Sequence, residues 1–213
     1  MILIGMFDSP FVRRVAVSMH LLQISFEHRD WSVGKDFDLI RRYNPLGRVP
    51  TLVLDDGDSL IESWAILDYL DELAGPGRAL LPRWGRPRRD ALRLMSIAIG
   101  AAEKGVLQLY ERAFRPEEKR HQPWVERCKT QMHGALAELE GASARGGGVH
   151  WLIGDQMTQA DVSVGCVFRF LTQALDLGRS DPERYPHLGS LSTRCEALPA
   201  FQAAKRDYAA PSG

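Results

Sequence analysis

Asn44-Pro45-Leu46-Gly47-Arg48-Val49-Pro50-Thr51-Leu52-Val53-Leu54-Asp55-Asp56-Gly57-Asp58-Ser59-Leu60-Ile61-Glu62-Ser63 reads as a complete turn–strand–turn–strand–helix passage. Asn-Pro-Leu-Gly is turn chemistry, with Pro fixing one φ and Gly free to take a positive one. Thr51–Leu54 is a short apolar run of the kind that forms a buried strand. Asp55-Asp56-Gly57-Asp58 is a hairpin turn, and Ser59–Ile61 its partner strand. A helix then runs from Ser63 to Leu73 and is stopped by Gly75-Pro76-Gly77. Upstream, Met1–Phe7 reads as a buried strand, and Ser9-Pro10 opens a helix over Pro10–Leu22, with Ser at the cap and Pro at the first helical position. Ile24–Trp31 reads as a second strand and Asp36–Tyr43 as a short helix. The first 75 or so residues therefore run β-α-β-α-β-β-α.

Downstream the pattern changes to helices alone. Arg88–Phe114 carries Leu92, Met95, Ile99 and Ala102 at burial spacing, and Pro116 ends it. A second long helix is expected from Trp124 to Ala142, a flexible turn at Ala144–Gly148, and an apolar central helix over Thr158–Leu175. Asp181–Tyr185, Pro186–Ala197 and Ala200–Ala204 give short terminal helices. No internal repeat or low-complexity tract is present. The expected architecture is an α/β domain over residues 1–80 followed by an all-α domain over 86–213.

Composition sets the class. The chain has 213 residues, 45% of them apolar and 25% charged, with 27 basic and 27 acidic side chains. Zero net charge argues against a general nucleic-acid binder. The balance shifts from net −4 over residues 1–80 (8 basic, 12 acidic) to net +4 over 81–213 (19 basic, 15 acidic), which marks a boundary near Pro82. The longest stretch free of Asp, Glu, Lys and Arg is Val15–Phe26, 12 residues, too short to span a bilayer. Met1–Phe7 lacks a basic leader and meets Asp8 at once, so no signal peptide is expected. Cys128, Cys166 and Cys195 are odd in number and widely spaced, which points to a reducing cytoplasm and to no disulfide framework. The six histidines show no metal-ligand spacing, so no metal is assigned.

Four segments carry a resemblance to a known family. Ser9-Pro10-Phe11-Val12-Arg13-Arg14-Val15 resembles the active-site loop and first helix of the soluble glutathione S-transferases. Asn44–Leu52 is similar to that family's N-P-x-G-x-V-P segment, and Glu62-Ser63-Trp64-Ala65-Ile66 to the acidic-Ser pair that opens its third helix. Gly154–Asp161 resembles the capping box of its helical domain, and Leu198-Pro199-Ala200-Phe201 adds support. The segments come in order across nearly the whole chain. The resemblance implies a thioredoxin-like, glutathione-binding first domain and a helical second domain that contributes the second-substrate site. It also implies a two-fold homodimer in which the first domain of one subunit packs on the helical domain of the other.

The resemblance assigns roles residue by residue. Ser9 would donate its hydroxyl to the glutathione thiolate at the positive end of the first helix; read locally, it is also simply an N-cap. No tyrosine precedes Tyr43 and no cysteine precedes Cys128, which disfavours the tyrosine-based classes and those that form a mixed disulfide with glutathione. A serine-type site or one driven by backbone N–H groups remains. Val49-Pro50 is implied to be cis, presenting the Val49 backbone to the tripeptide, although a trans proline before a strand fits the local sequence as well. Glu62 and Ser63 would hold the γ-glutamyl end; read locally, they are a helix cap with an acidic first turn. Arg48, and less directly Lys35, would reach the glycyl carboxylate. Phe11 would pack on glutathione or its co-substrate, as an aromatic at a strand end also packs in a core. Thr158-x-x-Asp161 is folding chemistry. For the second substrate, Phe11, Glu103 and Tyr110 are the candidates, with Ile99, Glu103, Val106 and Tyr110 roughly on one helix face. The implied activity is attack of the thiolate on a small hydrophobic electrophile. The alternatives are a non-catalytic dimeric interaction module and a glutathione-dependent isomerase or dehalogenase.

Overall fold

The computed structural model describes residues 1–145, 150–175, 177 and 184–210. Its elements are β1 (Ile2–Ile4), α1 (Pro10–Leu21), β2 (Glu27–Arg29), α2 (Phe37–Ile40), β3 (Thr51–Val53), β4 (Ser59–Ile61), α3 (Ser63–Ala74), α4 (Gly85–Phe114), α5 (Gln122–Arg145), α6 (Gln159–Ala174), α7 (Pro186–Glu196) and α8 (Pro199–Ala203). Gly146–Gly148 of the expected turn and residues 181–183 of the expected short helix lie outside the described residues.

The four strands form one mixed sheet in the order β2-β1-β3-β4. β1 pairs parallel with β2 (Leu3 opposite His28) and antiparallel with β3 (Leu3 opposite Leu52); β3 pairs antiparallel with β4 (Leu52 opposite Leu60). Side chains alternate across the sheet. Leu3 and Leu52 therefore face the large core with Val12, Val15 and Met19 of α1 and Ile66 and Leu70 of α3. Ile4 and Val53 face the other way, onto Ile40 of α2, with Trp31, Val33, Tyr43 and Val49 around them.

The strands are shorter than their apolar runs suggested, for local reasons. β1 ends because Gly5 takes φ +129°, and β2 cannot begin at Ile24 because the Ile24 N–H closes α1 on the Met19 carbonyl at 2.9 Å. Gln23 is left-handed there, at φ +57°. α4 starts earlier than expected, at Gly85, with Pro87 inside its first turn, where proline's missing N–H costs nothing.

The helical half is α4 against α5 and α6, with α6 also packing on α7 and on α1. Side chains of both halves thus belong to one continuous core. The junction is tied by Asp71 of α3, whose carboxylate accepts the N–H groups of Leu80 (2.8 Å) and Leu81 (3.0 Å). α6 opens with the expected capping box: Thr158 Oγ1 accepts from the Ala160 N–H, and Asp161 accepts from the Thr158 N–H at 2.8 Å.

Candidate active site

The loop from β1 to α1 builds the centre of the site. A Cβ on Gly5 would stand 2.5 Å from Val12 Cγ2 and 2.8 Å from Val49 Cβ, so only glycine lets the first helix and the Val49 loop close on each other. The Gly5 carbonyl meets His28 Nε2 at 2.8 Å, and the His28 ring stacks on Phe7 with centroids 3.8 Å apart. Ser9 is the N-cap of α1, with extended backbone (φ −72°, ψ 124°), and its Oγ accepts the Val12 N–H at 3.5 Å. That cap bond is longer than the usual 2.7–3.2 Å range. Pro10 has no N–H, so Phe11 offers the first backbone donor at this helix end.

The second piece is the Asn44–Pro50 loop. Asn44 is 1% exposed and organises it. Its Nδ2 donates to the Arg48 carbonyl (2.8 Å) and to Thr51 Oγ1 (3.2 Å), and its Oδ1 accepts from the Leu46 N–H at 3.0 Å. Gly47 is left-handed at φ +62° under the Phe37 ring, leaving no room for a Cβ. The Val49-Pro50 peptide is cis.

The third piece is the start of α3. The structure corrects one local reading here: the N-cap is Glu62, at φ +67°, and Ser63 is the first helical residue. Glu62 makes no side-chain cap bond, and the first turn of α3 holds no acidic residue. Its carboxylate instead pairs with Arg48 Nη1 at 3.2 Å. Ser63 is buried.

The first two pieces border a cleft of about 750 Å³, inside the range typical of small-molecule sites. Ser9, Phe11, Lys35, Arg48, Val49 and Tyr110 all line it. Pro50, Glu62 and Ser63 do not; Glu62 connects to it through Arg48. Glu103 is exposed on α4 and stands apart from the lining, where Val106 and Leu109 take part instead, while Ile99 is core. Four of the aromatic rings that line the cleft pack in pairs. Tyr110 meets Phe114 edge-on at 5.1 Å, and Phe170 of α6 meets Tyr208 edge-on at 5.8 Å. Burial raises the Tyr110 phenol above its ordinary value, with Arg48 pulling weakly the other way. Asp8, beside Ser9, is also raised by burial, against the lowering effect of the Ala209 N–H.

Sequence reasoning missed Asp8, Asp30, Phe114, Phe170, Arg206 and Tyr208 as lining residues. Adjacency to Ser9 could have flagged Asp8. Nothing in residues 204–210 is periodic or motif-like, so the last two carried no signal. The cysteines take no part: all three are buried and unpaired, and burial pushes the Cys166 thiol up to about 12 and raises Cys195 as well. Among the described residues no group of three or more His, Cys, Asp or Glu side chains is placed to hold a metal ion. None of the described helices is long and apolar enough to cross a membrane.

Comparison with known proteins places this geometry. Residues 3–78 match the family model for the glutathione S-transferase N-terminal domain, and residues 122–190 the model for its C-terminal domain. A glutathione S-transferase from Methylobacterium radiotolerans, solved in complex with glutathione sulfonate, is 31% identical. The match covers 100% of this chain and 95% of that one, with a TM-score of 0.86. The chain belongs to the glutathione S-transferase family. Another family member, from Pseudomonas fluorescens Pf-5 with bound glutathione, is 29% identical over 97% of this chain and 99% of that one (TM-score 0.84). A glutathione S-transferase of Triticum aestivum is 27% identical over 95% of this chain and 92% of its own length. The thioredoxin-like sheet followed by a helical domain is the fold of this family.

Proposed function

We propose that the chain binds glutathione in this cleft and activates its thiol for attack on a small hydrophobic electrophile. The observation that carries the reading is the convergence of Ser9, Phe11, Arg48 and Val49 on one cleft that is also lined by paired aromatic rings of the helical half. The thiolate would lie at the positive end of α1, where the Phe11 N–H and the Ser9 hydroxyl donate to it. Ser9 is suited to this because its cap bond is long and its hydroxyl proton is not used by that bond. Lowering the thiol pKa places the nucleophile in its reactive form near neutral pH.

The Val49 backbone would pair with the cysteinyl unit as an added strand. The uncapped start of α3, with Ser63 at its first turn, suits the γ-glutamyl carboxylate, and Glu62 the ammonium beside it. Arg48 holds Glu62 and, with Lys35, adds positive charge near the glycyl carboxylate. Tyr110 would face the electrophile. Glutathione is the co-substrate, no metal is required, and the working form is a cytoplasmic homodimer.

The test is retention on immobilised glutathione followed by a conjugation assay with 1-chloro-2,4-dinitrobenzene. Specific elution by free glutathione and a turnover that saturates in both substrates are expected. Clean flow-through with no turnover would instead indicate a non-catalytic interaction module.

A further inference from the structure

A second cavity, of about 780 Å³, opens between the first turns of α4 and the end of α5, and it shares no lining residue with the cleft. One wall is α4, where Arg86, Arg89 and Arg93 follow each other at three- and four-residue steps and so stand on one helix face. The other wall is Arg145, the last residue of α5, with the segment His150–Asp155. That segment is held in place from two sides. The Leu152 N–H donates to the buried Asp161 carboxylate at 2.8 Å, while Arg194 of α7 lies over the Trp151 ring and donates to the His150 carbonyl at 2.9 Å. Like charges at such steps on a helix repel each other, and the carboxylates nearby offset this only in part. Asp90 alone serves Arg86 (3.3 Å) and Arg89 (3.0 Å), and Arg93 pairs with Glu138 of α5 at 2.8 Å. These guanidiniums hold the Asp90 and Glu138 carboxyls below the usual carboxylate range. Arg145 makes no hydrogen bond or ion pair with any described residue. Across the lining, four guanidiniums stand against two carboxylates, Asp90 and Asp155.

We propose that this cavity is a second binding site, for a soluble ligand carrying a multiply charged phosphate group, free or as an ester. Guanidinium groups present paired N–H donors in a fixed plane that matches phosphate oxygens two at a time, and they keep their charge at any working pH. Arginines on both walls let one such group be held from two sides, and a ligand of several negative charges removes the repulsion along α4. Leu94, Trp151 and Leu152 add apolar surface against which the organic part of an ester can rest. A concave site of this volume suits a small molecule. It is also remote from the cleft. Arg93 and Val106, the first α4 residue to line the cleft, are 13 residues apart, about 20 Å along a helix that rises 1.5 Å per residue. The proposal goes beyond the glutathione reading and stands without it.

The experiment is calorimetric titration of the full chain with sodium tripolyphosphate, with and without saturating glutathione. Binding at one site per chain is expected, weakening as salt rises and changed less than about 2-fold by glutathione. Arg145→Gln and Arg93→Gln should each weaken it roughly 5-fold or more. Both side chains are exposed, so neither substitution leaves a buried group unpaired. Arg127→Gln, on the exposed side of α5, removes the same charge away from the cavity and should change the affinity less than about 2-fold. Four results would overturn the proposal. The first is no binding of tripolyphosphate, or binding that Arg127→Gln weakens as much as Arg145→Gln does, which reports net charge alone. The second is competition by glutathione, which puts the anion in the cleft. The third is sedimentation of wild type with phosphatidylcholine vesicles containing phosphatidate while tripolyphosphate fails to bind, which makes the arginines a lipid-facing surface. The last is a fall from a two-chain to a one-chain mass in Arg93→Gln by light scattering, which means that a second copy covers the cavity.

Discussion

At the residue scale, Ser9 carries two roles that its local sequence could not separate, and the structure supplies a way to part them. Its cap bond to the Val12 N–H is 3.5 Å long, so losing it should cost the low end of the usual 0.5–2 kcal/mol for a cap. A hydroxyl donating to a thiolate is a charge-assisted bond worth about 1.5–3 kcal/mol. That corresponds to about one to two pKa units on the thiol. Ser9→Ala is therefore expected to raise the pKa of bound glutathione by that amount and to lower the conjugation rate at pH 6.5 by roughly 10- to 100-fold. The thermal midpoint should barely move. Ser9→Gly keeps an acceptable cap and lacks the hydroxyl, so it should match Ser9→Ala in rate. A pH–rate profile and a melting curve for each variant check this. Wild-type rates in both would leave the Phe11 N–H as the group that holds the thiolate. Why Ser9 could be found and Tyr208 could not is itself physical. Ser9 sits in a local signal, a cap followed by proline, whereas Tyr208 is held at the cleft by contacts with residues far away in the chain: its N–H on Gln173, its ring on Phe170 and the neighbouring Arg169–Asp207 ion pair.

At the scale of elements, turn and cap chemistry was legible wherever its partners are close in sequence. The hairpin at Asp55–Asp58, the β4 strand at Ser59–Ile61 and the Thr158–Asp161 capping box formed as read. Strand ends were not legible, because β1 stops where Gly5 must make room for Val12 and Val49, a contact 44 residues away for the latter. The capping box shows how much one short-range device can hold. Asp161 is fully buried and accepts from the Leu152 N–H (2.8 Å), the Thr158 N–H (2.8 Å) and the Thr158 hydroxyl (2.9 Å). Asn at this position replaces one acceptor oxygen by a donor and removes the charge from the remaining bonds, leaving at least one buried N–H or O–H without a partner. Asp161→Asn is expected to cost about 1–3 kcal/mol, read as a shift of the urea midpoint at unchanged slope. Since neither Thr158 nor Asp161 lines the cleft, both KM values should stay at wild type. A change in the glutathione KM would mean that the cap is coupled to the site through the packing of α6 on α1.

At the scale of the whole molecule, the cleft is a product of both halves, since α1, the Val49 loop, α4, α6 and residues 206–210 all line it. The assembly proposed for it extends the same logic to two chains. A two-fold contact between the first half of one subunit and the helical half of the other needs exposed apolar side chains on both halves, because each chain supplies both surfaces. The described residues include such side chains on each. Leu46 (55% exposed) and Leu73 (50%) lie in the first half, Leu107 (37%) and Trp124 (39%) in the second. Leu46 also lines the cleft, so a partner covering it would shape the mouth of the site. Light scattering at micromolar concentration is expected to give twice the 23.9 kDa chain mass. A glutamate at an interface centre must be desolvated without a partner, which costs several kcal/mol and is felt twice across a two-fold axis. Leu46→Glu is therefore expected to shift the protein toward a single-chain mass and to raise the glutathione KM, while a control in the turn after α2, exposed Arg42→Glu, leaves the mass unchanged. A wild-type mass of one chain would rule out the dimer, and a Leu46→Glu protein that stays dimeric would place the contact on other residues.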